Sequence, residues 1–150
     1  MDNLPTDLSK RQLLAGTVAA AAALATSGLA QAGHVHHKHA NGVGDDLVAA
    51  ANDCVQKGEA CLSHCMTLVE KKDTSIAGCM RTVSETIAIC SAFAKLSNLN
   101  SKYTKDFGKI CSAACEECAE ECGKHAKHHH ECKDCAESCK QVSKMIKAMA

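Results

Sequence analysis

The side chains able to do chemistry in this chain are its thiols and imidazoles: twelve cysteines and nine histidines in 150 residues. The stretch CSAACEECAEEC places Cys111, Cys115, Cys118 and Cys122 at steps of +4, +3 and +4. At about 100° per residue, a helix carries those four thiols on one face, within about 60° of one another. The same test places Cys54, Cys61 and Cys65 within about 40°, Cys79 and Cys90 about 20° apart, and Cys132, Cys135 and Cys139 within about 60°. Thiols therefore stand where a helix ordinarily carries leucine. A lone buried cysteine packs as a small hydrophobe; twelve on four stripes point to soft-metal binding.

The i,i+4 pairs Cys61/Cys65, Cys111/Cys115, Cys118/Cys122 and Cys135/Cys139 have Cβ atoms about 5–6 Å apart. A disulfide needs about 3.8 Å, whereas two sulfurs with an ion between them fit the wider spacing. Zinc would leave each four-thiolate site at a net charge of −2, and several such sites on one buried axis are costly. Cu(I) is soft, selects thiolates and accepts low coordination numbers. One Cu(I) per thiolate leaves the core neutral and gives a capacity on the order of a dozen ions. Two other readings stay open: a structural bundle stapled by disulfides, and a buffer for zinc or another soft metal.

These stripes need four helices to carry them. The only proline is Pro5, so nothing interrupts long helices beyond it. Helices are predicted over about 45–71, 74–97, 102–124 and 129–148. Asp45 and Asp46 favour the first N-terminus, Asp73 or Thr74 caps the second helix, and Asn100 or Ser101 caps the third. Gly123 weakens the end of the third. Gly58, Gly78 and Gly108 fall inside helices and mark close helix contacts. Similar lengths and short connections predict an all-α, up-down-up-down four-helix bundle with a cysteine-lined core over 45–150. Glu116, Glu117, Glu120 and Glu121 should face outward.

Residues 1–32 read as a separate object. Lys10-Arg11 precedes an alanine-rich apolar run ending in Ala30-Gln31-Ala32, the pattern of a cleaved export signal. Ser9-Lys10-Arg11-Gln12-Leu13-Leu14 resembles a twin-arginine signal with lysine in the first arginine position. Residues 33–44 read as a flexible, histidine-rich leader carrying His34, His36, His37 and His39. The expected destination is the periplasm, with no membrane segment in the mature form. Acids and bases balance at 17 each without a basic stripe, which argues against nucleic acid as a partner.

Enzyme readings are weak. Cys111-x3-Cys115-x2-Cys118 has the spacing of a radical-enzyme cluster loop, but the chain is too short for the barrel those enzymes need. Cys115-x2-Cys118 and Cys132-x2-Cys135 match redox dithiols without the surrounding βαβ pattern. The chain is read as a non-enzyme.

The C-x3-C pairs on four helices, the scarcity of aromatic residues and the export signal resemble the bacterial copper storage proteins. The resemblance covers about residues 45–150. It implies a bundle that binds many Cu(I) ions through Cys54, Cys61, Cys65, Cys79, Cys90, Cys111, Cys115, Cys118, Cys122, Cys132, Cys135 and Cys139. It also implies a homotetramer and a role in copper supply or detoxification, with copper chaperones or cuproenzymes as partners. In an up-down bundle the first and third connections share one end. That end gathers His64, Met66, Met80, His125, His128, His129 and His130, side chains suited to passing copper inward to the thiols. Met145 and Met149 belong to the opposite end.

Overall fold

The computed structural model describes residues 42–149, which belong to one compact unit. The expected export signal, and the leader up to residue 41 with its four histidines, lie outside the described residues. Four helices follow one another: α1 (Asp45–Glu70), α2 (Ala77–Asn98), α3 (Thr104–His125) and α4 (His130–Lys147). Each packs against its two neighbours in a square, α1 on α2 and α4, α3 on α2 and α4; among the described residues the diagonal helices keep their backbones apart and meet only through side chains on the axis. This is the predicted up-down-up-down bundle.

Asp45 and Asp46 occupy the first turn of α1, where the helix dipole favours negative charge. α1 ends in a reciprocal pair of backbone bonds: Lys72 N–H donates to the Val69 carbonyl at 2.8 Å, and Asp73 N–H to the Leu68 carbonyl at 3.0 Å. α2 ends the same way, with Asn100 N–H on Ser97 and Ser101 N–H on Leu96, both at 3.0 Å. Such a Schellman motif needs a left-handed residue. Lys72 (φ 67°) and Asn100 (φ 51°) take that conformation.

Helix starts differ from the sequence expectation. α2 begins at Ala77, and neither Asp73 nor Thr74 caps it. The Asp73 carboxylate instead accepts from Ser75 N–H at 3.0 Å and from the Ser75 hydroxyl at 2.6 Å. Ile76, fully buried, draws this turn against the core before the helix starts. α3 begins at Thr104 with no side-chain cap. Ser101 Oγ accepts from Tyr103 N–H at 3.3 Å in the preceding turn. Gly123 does not end α3, which continues to His125.

Two of the three helix glycines bear out the close-contact reading. A Cβ on Gly58 of α1 would lie 2.8 Å from Ile87 Cγ1 of α2. A Cβ on Gly108 of α3 would meet Phe93 at 3.4 Å and Ile146 at 3.6 Å. At Gly78 the neighbour is only the Glu121 carboxylate, at 2.7 Å, a side chain able to move.

The core is divided along its axis. At the end formed by the start of α1, the end of α2, the start of α3 and the end of α4 it is apolar. Leu47, Val48, Ala51, Phe93, Val142 and Ile146 are buried there. Beyond them cysteine is the commonest residue on the buried faces, with Gly58, Val83, Thr86, Ala119 and Ala136 among the rest. Glu116, Glu117 and Glu120 are exposed and Glu121 is half-buried, on the outer side of α3.

Candidate metal centre

All twelve thiols are buried and free of disulfides, none more than 1% exposed. The helix period explains this: the thiol stripe of each helix is the face turned to its neighbours. Together the sulfurs form a continuous column. Nearest the α1–α2 turn, Cys61, Cys65, Cys79 and Cys132 form a tetrad, every pair of sulfurs within 4.8 Å. Cys61 is shared with a triad of Cys61, Cys122 and Cys135, and Cys135 with a triad of Cys118, Cys135 and Cys139. Cys139 lies 3.5 Å from Cys54, which forms the last triad with Cys90 and Cys115. Cys111, 3.6 Å from Cys90, closes the column against the apolar end.

Neighbouring sulfurs lie 3.2 Å apart (Cys79–Cys122) to 4.0 Å apart (Cys61–Cys122). These are far longer than a disulfide bond of about 2.05 Å. With metal–sulfur bonds of about 2.3 Å, sulfurs sharing one trigonal or tetrahedral ion stand about 3.8–4.0 Å apart. The column thus has the spacing of sulfurs that share ions, with shifts of a few tenths of an ångström.

The thiols perturb one another. Burial, then the charges of Cys61 and Cys79, pushes the Cys65 thiol up. At Cys61 a hydrogen bond from Cys122 favours the thiolate, but bonds to Cys132 and Cys135 prevail and push it up to about 12. Cys118 is held low by hydrogen bonds from Cys122 and Cys135. Two hydroxyls not anticipated from the sequence join in: Thr86 contributes to holding Cys118 low, and Ser138 does so for Cys54. Thr86 lies four residues before Cys90 and seven after Cys79, on the α2 stripe, a position legible from periodicity.

Of the residues expected at the copper-admitting end, three meet. His64 Nε2 and His129 Nδ1 are 2.9 Å apart, and the His125 and His129 rings lie 6.5 Å apart between centroids. Glu131, not singled out before, sits 3.6 Å from His64 Nδ1. His128 is exposed. His130 faces Asp134 at 3.4 Å and is largely exposed. Met66 is 51% exposed, and Met80 packs against the core. Met145 also packs against the core, and Met149 lies beside Ile146 at the apolar end.

A four-helix bundle with a continuous buried column of thiols is a soft-metal container. The model of the copper storage protein family, Csp, matches residues 40–150, and the chain belongs to that family. Among solved structures it is similar to the Cu(I)-bound copper storage protein BsCsp3, with 28% identity and a TM-score of 0.63, over 70% of this chain and 95% of that one. Apo copper storage protein 3 from Bacillus subtilis is 29% identical, with a TM-score of 0.61, over 69% and 95% of the two chains. The copper storage protein Ccsp from Streptomyces lividans, loaded with 10 copper equivalents, shares the fold at 24% identity and a TM-score of 0.62, over 69% and 80%. A search of curated proteins found no match.

Proposed function

We propose that this chain stores Cu(I) as cargo on its twelve cysteine thiolates, taking up and releasing ions at the histidine end. The observation that carries the reading is the continuous column of thiols, in which groups share Cys61 and Cys135 and are joined onward by the Cys54–Cys139 and Cys90–Cys111 contacts. The copper-loaded relatives support the choice of metal. At full loading one thiol proton has left for each Cu(I) bound, and the thiolates, shared between ions, hold them with no net charge on the core. With neighbouring sulfurs such as Cys79–Cys122 and Cys61–Cys122 only 3.2–4.0 Å apart, an ion can bind the next sulfur before leaving the last. It then moves along the column without becoming free. His64, His125 and His129 receive copper at the surface; imidazole binds it less tightly than thiolate and yields it inward. The core of the opposite end is filled by Leu47, Phe93, Val142 and Ile146, hydrocarbon side chains that offer an ion no ligand.

Copper K-edge absorption of the loaded protein tests this. A sulfur-only first shell is expected, and a shell dominated by nitrogen or oxygen would overturn it. The double variant His64→Ala, His129→Ala should slow uptake several-fold and leave capacity unchanged; an unaltered rate removes these residues from the path.

The reading extends to residues outside the described part. Residues 1–32 direct export by the twin-arginine route and are removed after Ala32. Cell fractionation with N-terminal sequencing of the exported chain tests this. Export after folding would let thiols fill with copper before reaching an oxidising compartment. The bundle assembles as a homotetramer, as the resemblance implies; exposed Leu99, Tyr103 and Ile110 offer apolar surface to a second copy. The stored copper serves cuproenzymes, by direct transfer or through chaperones, or is held as detoxification.

A further inference from the structure

The four thiol groups of the column are not alike. Three are triads; among the described residues only the outermost, Cys61, Cys65, Cys79 and Cys132, brings four sulfurs within 4.8 Å of one another. Three of its six edges are 3.7 Å (Cys61–Cys132), 3.8 Å (Cys61–Cys79) and 3.9 Å (Cys65–Cys79). A tetrahedron of sulfurs about a metal at about 2.3 Å has an edge of about 3.8 Å. Cu(I) is content with two or three sulfurs, whereas Zn(II) requires four.

Charge separates the tetrad from the triads as well. Four thiolates around a divalent ion carry a net charge of −2, costly deep in the bundle. Two of the tetrad's four ligands sit where that charge is partly offset. Cys79 is the third residue of α2 and Cys132 the third residue of α4. Both lie in the first turn, beside N–H groups without helical partners and at the positive end of the helix dipole. Cys54, Cys90, Cys111, Cys115, Cys118, Cys135 and Cys139 lie farther into their helices.

We propose that the tetrad Cys61/Cys65/Cys79/Cys132 is a tetrahedral site for one Zn(II) ion per chain, distinct from the Cu(I) capacity of the column behind it. Zn(II) bound there displaces up to four thiol protons. It also occupies the sulfurs nearest the histidine end, so copper passes inward only by displacing it. Soft thiolates favour Cu(I), and excess Cu(I) releases the zinc.

The test uses the reduced, metal-free protein under anaerobic conditions. Zn(II) is titrated against a chromophoric zinc chelator, and Co(II) is used separately to report coordination. One tight Zn(II) equivalent is expected, with one Co(II) showing the intense absorption of a tetrahedral tetrathiolate. Cys132→Ser should weaken Zn(II) at least tenfold, while Cys111→Ser, at the far end of the column, leaves it unchanged. Far-ultraviolet circular dichroism of each variant reports whether its bundle has folded, and Cu(I) titration of the unaltered chain tests the storage reading independently. Normal Cu(I) loading with no tight Zn(II) overturns the zinc site alone. Three or four equal Zn(II) equivalents, or equal loss in both variants, also overturn it.

Discussion

The buried cysteines form a coupled set, and their protonation governs how tightly copper is held. Burial and neighbouring charges push Cys65 up, and Cys61 is pushed up to about 12. Near neutrality both carry protons that copper must displace. The sign follows: lower pH favours the proton, higher pH favours the metal. Apparent Cu(I) affinity should rise from about pH 6 to about pH 9, by about tenfold per pH unit for each proton released. Competition with a chelator at several pH values, combined with direct proton counting, measures this; a flat profile would mean the thiols are already ionised. Cys139 links the triad Cys118/Cys135/Cys139 to Cys54 of the last triad. Cys139→Ser should lower capacity by about one or two ions and slow filling of the segment around Cys54, Cys90 and Cys111. Stopped-flow loading would show a delayed late phase, and unchanged kinetics would argue against movement along the column.

At the scale of the helix, two backbone features carry measurable stability. Lys72 closes α1 in a left-handed conformation at φ 67°, which glycine adopts without strain. Lys72→Gly should stabilise the apo protein by about 0.5–1 kcal/mol in chemical denaturation. Gly58→Ala drives a methyl to 2.8 Å from Ile87 Cγ1, on a β-branched side chain with little freedom to move. A loss of about 1–3 kcal/mol is expected in the same assay. The bundle itself was legible because its signal is periodic: cysteines at steps of three, four, seven and eleven can share a face only in a helix. The helix starts were not, because cap rules read a local preference. Here Asp73 spends its carboxylate on Ser75, and burial of Ile76 decides where α2 begins. Placing His64 beside His129 needed the bundle's antiparallel geometry. Glu131 near His64 escaped notice because a single acid in a first helical turn looks like an ordinary complement to the dipole.

At the scale of the whole bundle the two ends differ in composition. One end is packed with Leu47, Phe93, Val142 and Ile146; the other ends in a thiol tetrad beneath His64, His125 and His129. Cysteine buries less apolar area than leucine, so the apo core gives the fold less hydrophobic stabilisation over its thiol length. Ligands that bind only the folded state add stability in proportion to the logarithm of their excess over Kd, so Cu(I) loading should raise Tm substantially. The measurement that bears most directly on the account is anaerobic titration of the reduced chain with Cu(I) against a strong competing Cu(I) chelator. The account predicts tight uptake continuing to about one copper per thiol, on the order of a dozen ions. Uptake that ends after one or two ions, or copper surrendered to the chelator throughout, would contradict it.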